Sequence, residues 1–427
     1  MDAWTQRVPR LFSGAFAVGP LRLLADQPVS ATPDRVITRA DELVQLVAEV
    51  RASGRMALDT EFVWERTYRP KLGVVQIFTD TGPAVIDAVA LPDLSPLFPV
   101  LQAPDVPVVL HGGGQDLEIF STLMGTPVRG VVDTQLVAAF LGYGLQVGLA
   151  ALLERVLKVR IRKDLTYSDW TRRPLRPEQV AYAREDVVHL LALYDQLAAE
   201  LAKRGRTAWV TEELAALEDP ERYATVPLDE VYRDVKGWMR LRGRDLAVLR
   251  ALAAWRERAA ARADVRPNFI VNDVVLTSLA ARPPKSAEDL RHVRGLSPGT
   301  ADRQGRHILA AVGEGLAAPE GSWPELPPRV RRNAPAPGLT ALLRAAVQAA
   351  AEREDIAPEV IASSREIEAL GSASLDDGFD EESLVVTRGW RRELVGKTLV
   401  AIARGELAIR YDPRRRAVVG DAVRRPG

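Results

Sequence analysis

MALDTEFV, residues 56–63, is an apolar run interrupted by two carboxylates. As a strand it sends successive side chains to opposite faces, so Asp59 and Glu61, two apart, share one face. Two unpaired carboxylates are costly to bury in apolar surroundings, and a cation held between them removes that cost. The plain alternative is a solvated surface pair, because D-x-E triplets arise by chance in a chain with 57 acidic residues. The apolar setting favours the cation.

Outward from this octapeptide, GVVQIFTD (73–80), PAVIDAV (83–89), VPVVLHG (106–112) and RGVVDT (129–134) read as further strands. Apolar periodicity places helices over 40–51, 117–124, 135–141, 149–157 and 177–204. Strands joined by short turns, then alternating with helices, predict an α/β domain with a mixed sheet covered by helices. EDPERYATVP (218–227) breaks the pattern and marks a domain boundary. The expected division is an N-terminal extension (1–30), an α/β domain (31–217), an all-α bundle (228–316), a Pro-rich semi-rigid linker (317–337), a second all-α module (338–412) and a basic tail (413–427).

Composition narrows the chemistry. At 427 residues, 47% hydrophobic and 27% charged, the chain reads as a soluble globular protein of more than one domain. It has no Cys, and its four His are scattered without ligand spacing, so any catalytic metal must sit on oxygen. Hard oxygen ligands suit Mg²⁺ or Mn²⁺. The balance of 57 basic and 57 acidic residues gives no global attraction to nucleic acid. No apolar run approaches the roughly 18 residues of a membrane span, and the first residues lack the order of a secretion signal, so a cytoplasmic protein is expected. A monomer is the default expectation.

Further carboxylates stand where strands end or helices begin. Asp116 follows VPVVLHG through Gly112, Gly113 and Gly114 and opens the helical pattern LEIFSTLM. It suits a helix cap and a site ligand equally. Asp87 and Asp133, also at strand ends, are not excluded from a site by pattern alone. Tyr182 and Asp186, four apart on a helix, share a face one turn apart. A phenol there can orient a water beside a carboxylate without ligating metal itself.

Taken together, D-T-E at 59–61, H-x-x-x-x-D-L at 111–117 and Y-x-x-x-D at 182–186 resemble the DEDD exonucleases with Tyr in the third motif. TYRPKLGVVQIF, VVDTQLVAAFLG, GLAALLERVL and SDWTRRPL narrow the resemblance to the ribonuclease D family, and the helical modules resemble HRDC domains, the second through GWRRELVGKTL (389–399). The resemblance implies a ribonuclease H-like fold in the first domain, followed by two HRDC-like helical bundles. It also implies a 3′-to-5′ exoribonuclease that uses two divalent ions, Mg²⁺ or Mn²⁺, and releases nucleoside 5′-monophosphates from RNA with a free 3′ end, transfer RNA precursors included. Carried to this chain, Asp59 bridges the ions, Glu61 and Asp186 complete one site, and Asp116 serves the other. Tyr182 orients the water, and Glu61 with the Thr60 backbone places the terminal ribose hydroxyl.

In the first helical module, DLRHVRGLSPGTADRQGRHIL (289–309) places Arg291, Arg294, Arg303 and Arg306 around a Gly-containing turn. Such a turn can present N–H groups and guanidinium to phosphate, or simply be a corner with solvated Arg. Lys236, with Trp238, Arg240 and Arg242, mixes basic and aromatic character, though Trp238 suits a core equally. A DNA exonuclease of the same fold and a non-catalytic RNA-binding adaptor are the competing functions; the complete set of acids speaks against the adaptor.

Overall fold

The computed structural model describes residues 35–161, 168–326, 337–373 and 383–422. The N-terminal extension (1–30) and residues 327–336 of the Pro-rich linker therefore lie outside the described residues.

The first half is built on β1 (Val36–Ile37), β2 (Met56–Val63), β3 (Lys71–Thr79), β4 (Gly82–Asp87), β5 (Val108–Leu110) and β6 (Val131–Asp133). Among the described residues these form one mixed sheet in the order β1-β4-β3-β2-β5-β6. The chain runs antiparallel through β2, β3 and β4, whereas β5 lies parallel to β2 and β6 parallel to β5. Residue alternation sorts the two faces. Met56, Leu58, Val75, Ile77 and Ile86 pack on one side with Leu43 and Leu46 of helix α1 (Ala40–Ser53) and with Leu117 and Phe120 of α2 (Gly114–Met124). Ala57, Val109 and Val132 face the other side, toward α3 (Thr134–Ala139) and α4 (Leu149–Val156).

The helix expected over 177–204 is two helices, α5 (Pro177–Val188) and α6 (Leu190–Lys203), divided at His189. The break redirects the chain: α5 lies across β2, β3 and β4, and α6 packs on α3, β2 and β5. Helix α7 (Thr207–Ala215) follows.

The first helical module centres on α8 (Gly243–Ala263), which packs against α10 (Asp273–Ala281) and α12 (Pro298–Ala317), with α9 (Pro267–Ile270) and α11 (Ala287–Arg291) between them. Its core holds Leu249, Leu252, Trp255, Leu276, Leu290 and Ile308. Gly315 lets α12 press onto the α8 backbone at Val248, where a Cβ would collide. The module touches the loop between β2 and β3 and the first residue of β3: Tyr68 Oη donates to Glu257 (2.7 Å), Lys71 pairs with Asp264 (2.6 Å), and Arg266 Nε donates to the Trp64 carbonyl (3.0 Å).

The second module does not stand apart. Leu343, Val347 and Ala350 of α13 (Pro337–Glu354), Val360 and Ile361 of α14 (Pro358–Ile361), Ile367 and Leu370 of α15 (Ser364–Ser372), and Leu399 of α16 (Lys397–Ala403) share one apolar core with Val137, Phe140, Val210 and Leu214. Trp390 stacks on Trp209 at 5.2 Å and meets Phe140 edge-on at 5.2 Å. Polar contacts fix the seam: Ala357 N donates to the Ala139 carbonyl (3.0 Å), Arg204 pairs with Asp355 (2.9 Å), and Arg391 pairs with Glu213.

A correction concerns the stretch read as a basic tail. Its described part, residues 413–422, does not simply trail away, because β7 (Leu407–Asp412) and β8 (Ala417–Ala422) form an antiparallel hairpin; residues 423–427 lie outside the described residues. Asp412 closes its turn by accepting from the N–H groups of Arg414 and Arg415, at 2.9 and 3.2 Å. The Arg run is thus the turn itself, and it hides the short alternating strands on either side.

Candidate active site

Strand β2 supplies Asp59 and Glu61, both on the face toward α5, and α5 supplies Asp186 from above. Carboxylate oxygens of these three residues lie within 4.8 Å of one another. Three acids at this separation repel unless protons or cations intervene. Burial, and then the charges of Asp116, Asp186 and Glu61, push the Asp59 carboxyl well above the carboxylate range. Burial, aided by Asp186 and Asp116, pushes Glu61 up to about 8. Asp186 is pushed up to about 7, by burial first and Glu185 second. The donor set is all oxygen, half-buried and proton-hungry, which fits hard divalent ions.

Asp116 stands beside this trio. It is the third residue of α2, whose N-cap is Gly113, so it does not cap the helix. It is 8% exposed and accepts the Thr60 hydroxyl, a bond that opposes the upward push of burial on its carboxyl. Thr60 thereby ties the strand between the two β2 acids to Asp116, and its hydroxyl is committed inward.

Tyr182 lies one turn before Asp186 and is half-buried, its ring 6.0 Å from that of Trp170. Trp170 belongs to a small apolar cluster with Val74, Val85, Val180 and Ala183, which seats α5 on the sheet. Gly73 makes room for it: a Cβ there would meet the Trp170 carbonyl at 2.5 Å.

The remaining strand-end acids are spoken for. Asp87 takes a forked pair of bonds from Arg173 (2.6 and 2.5 Å) and also accepts from the N–H groups of Val89 and Ala90. Arg173 spends its other donors on the carbonyls of Gly73, Trp170 and Arg172, all five N–H groups being used. Asp133 caps α3 through Gln135 N and also accepts from Gly112 N, at 2.9 Å each. Sequence pattern could not separate these two from the site acids; their partners do. The clamp built on Arg173 was not foreseen, and only SDWTRRPL signalled that this segment matters.

The basic candidates lie elsewhere. Arg294, Arg303 and Arg306 are exposed around the turn between α11 and α12, and Arg291, also exposed, pairs with Glu288 and Asp302. Lys236 is exposed, while Trp238 is half-buried with its ring edge-on to Tyr232 at 5.5 Å.

Residues 35–202 match a 3′-5′ exonuclease family model, and residues 245–312 match the HRDC domain. Ribonuclease D of Granulibacter bethesdensis is 37% identical over 385 residues, 88% of this chain and 94% of that protein. Ribonuclease D of Acidiphilium cryptum is 38% identical over 399 residues, covering 92% and 99%. Among solved structures, Escherichia coli RNase D, described as an exoribonuclease involved in structured RNA processing, superposes with a TM-score of 0.76 at 32% identity, covering 88% of this chain and 99% of that one.

Proposed function

The chain belongs to the ribonuclease D family, and from that premise we propose that Asp59, Glu61, Asp116 and Asp186 hold its divalent ions while Tyr182 orients the attacking water. The protein is a 3′-to-5′ exoribonuclease, a hydrolase of phosphodiester bonds at RNA ends. The observation that carries the site assignment is the convergence of the Asp59, Glu61 and Asp186 carboxylates within 4.8 Å, with Asp116 pressing its charge on two of them.

Two divalent ions, Mg²⁺ or Mn²⁺, supply charge stabilisation for the in-line displacement and acidify the attacking water. The chain's own residues do the rest. Asp59, between Glu61 on β2 and Asp186 on α5, would be the carboxylate shared by the ions when they are bound. The Tyr182 phenol, one helical turn from Asp186, holds the water by hydrogen bonding without being a ligand. Glu61 and the Thr60 backbone would receive the terminal ribose hydroxyl, which favours entry of a free 3′ end. No covalent intermediate on the protein is needed.

Upstream RNA lies across the helical modules, with Lys236, Arg291, Arg294, Arg303 and Arg306 contacting phosphates. The working division is 31–217 for catalysis, 228–316 and 338–412 for HRDC-like modules, with transfer RNA precursors as substrate and a cytoplasmic monomer as the acting form. Among the described residues no helix is long and apolar enough to cross a membrane. Parallel digestion of matched RNA and DNA strands, with and without EDTA, tests the reading. RNA shortened from its 3′ end to 5′-monophosphates only with metal is the expected result. Equal digestion of DNA, or full activity of Asp186→Asn, overturns it.

A further inference from the structure

Gln76 occupies the middle of β3, where the register sets it directly across from Asp59 of β2 on one side and Val85 of β4 on the other. Directly opposed residues point to the same face of a sheet, so Gln76 shares the face that carries the site acids. Its side chain has 0% exposure, and neither Oε1 nor Nε2 has a hydrogen-bond partner. Val74, Val85, Trp170 and Ala183 make this side of the sheet apolar. An unmet amide in such a place is destabilising, and Leu or Met would fill the same space without that cost. The amide therefore points to a use that carbon cannot serve.

Of its two directly opposed neighbours, Asp59 is the one able to accept a hydrogen bond. Opposed Cβ atoms in an antiparallel pair lie about 4.5–5.5 Å apart, within reach of a Gln side chain with three rotatable bonds. We infer that Gln76 is a positioning residue for Asp59: its Nε2–H group donates to the Asp59 carboxylate when that carboxylate holds divalent ions, fixing the direction in which its oxygens point. A neutral donor suits this task. Lys or Arg at the same place would bind the carboxylate equally well but cancel the charge on which cation binding depends. The inference rests on the ligand role proposed above for Asp59.

The test uses the full chain, with Gln76→Leu and Gln76→Met beside Asp186→Asn as a reference. Mn²⁺ binding without RNA is measured by titration calorimetry, the unfolding midpoint is measured in EDTA, and kcat and KM are measured on a single-stranded RNA. Both Gln76 variants should keep or raise the EDTA midpoint, bind Mn²⁺ roughly tenfold more weakly, and lose kcat with KM nearly unchanged. Mn²⁺ affinity and kcat within about twofold of wild type overturn the inference, the amide then being satisfied by something other than Asp59. Loss of affinity together with a lowered EDTA midpoint in both variants also overturns it, because that pattern marks packing alone. If Asp186→Asn itself binds Mn²⁺ and cleaves like wild type, the fault lies with the proposed metal site, not with Gln76.

Discussion

Removing an acid from the site should stabilise the metal-free protein, and Asp186→Asn is the informative case. Asp186 has its carboxyl pushed up from the ordinary 3.8 to about 7 by burial and by Glu185. In the folded protein it keeps its proton over a range in which the unfolded chain has released its own. Stability is then lost as pH rises through that range, from about 4 toward about 7, and the full loss is in place above it. Each tenfold change in proton affinity is worth about 1.4 kcal/mol, so the ceiling at about pH 8 is ~4 kcal/mol. Asn must also leave water and finds no new partner, which removes about half. Roughly 2 kcal/mol remains, or about 4–8 °C for a unit of 150–250 residues. Near pH 5 the advantage should shrink toward zero. Mg²⁺ should reverse the ranking: at about a hundred times its dissociation constant it adds ~2.7 kcal/mol to the wild type and little to the variant. Calorimetric unfolding of both proteins, at both pH values, in EDTA and in Mg²⁺, reads all four cases. An Asn variant that is less stable than wild type in EDTA at the higher pH refutes the picture of an Asp186 carboxylate held at a cost by desolvation and the neighbouring Glu185 charge.

Tyr182→Phe should lower kcat by roughly 10- to 1000-fold while Mn²⁺ affinity, measured calorimetrically, stays within about twofold, because the phenol acts on the water and not on the ion. Trp390→Ala should cost about 3–5 kcal/mol in denaturant unfolding, since the indole is buried against Trp209 and Phe140 across the seam between the second module and the catalytic half. A chain ending at Pro220 should for the same reason precipitate or bind hydrophobic dyes, with Val137, Phe140 and Leu214 stripped of cover; a well-behaved active fragment would show the shared core to be dispensable. Replacing Arg294, Arg303 and Arg306 together by Gln should weaken RNA binding and flatten its salt dependence by roughly 2–3 units of slope, leaving kcat on a short oligonucleotide unchanged.

What could be read before folding, and what could not, divides along the range of the interactions involved. Asp59 and Glu61 were readable because the strand period and the cost of burying charge are both local, and the same holds for Tyr182 and Asp186 on one helix face. Asp87 and Asp133 looked alike until folding brought up Arg173, 86 residues away, for one and a helix N-terminus for the other. Strand β1 escaped notice because two residues, Val36 and Ile37, cannot show an alternation, yet they pair with Val85 and Ile86. Gln76 was hidden within GVVQIFTD, where one amide among apolar residues reads only as a strand; the register against Asp59 is what gives it meaning. The second helical module shows the limit most clearly. Amphipathic periodicity states that each helix buries a face, but it does not say against what. Here Leu343 and Val347 bury theirs partly against the catalytic half, and the Ala357 N–H group bonds the Ala139 carbonyl at the end of α3. Since α6 packs on both α3 and β2, a change at that seam has a packed route of two helices to the strand carrying Asp59 and Glu61. The module described by its pattern as a separate bundle thus shares its core with the domain that carries those acids.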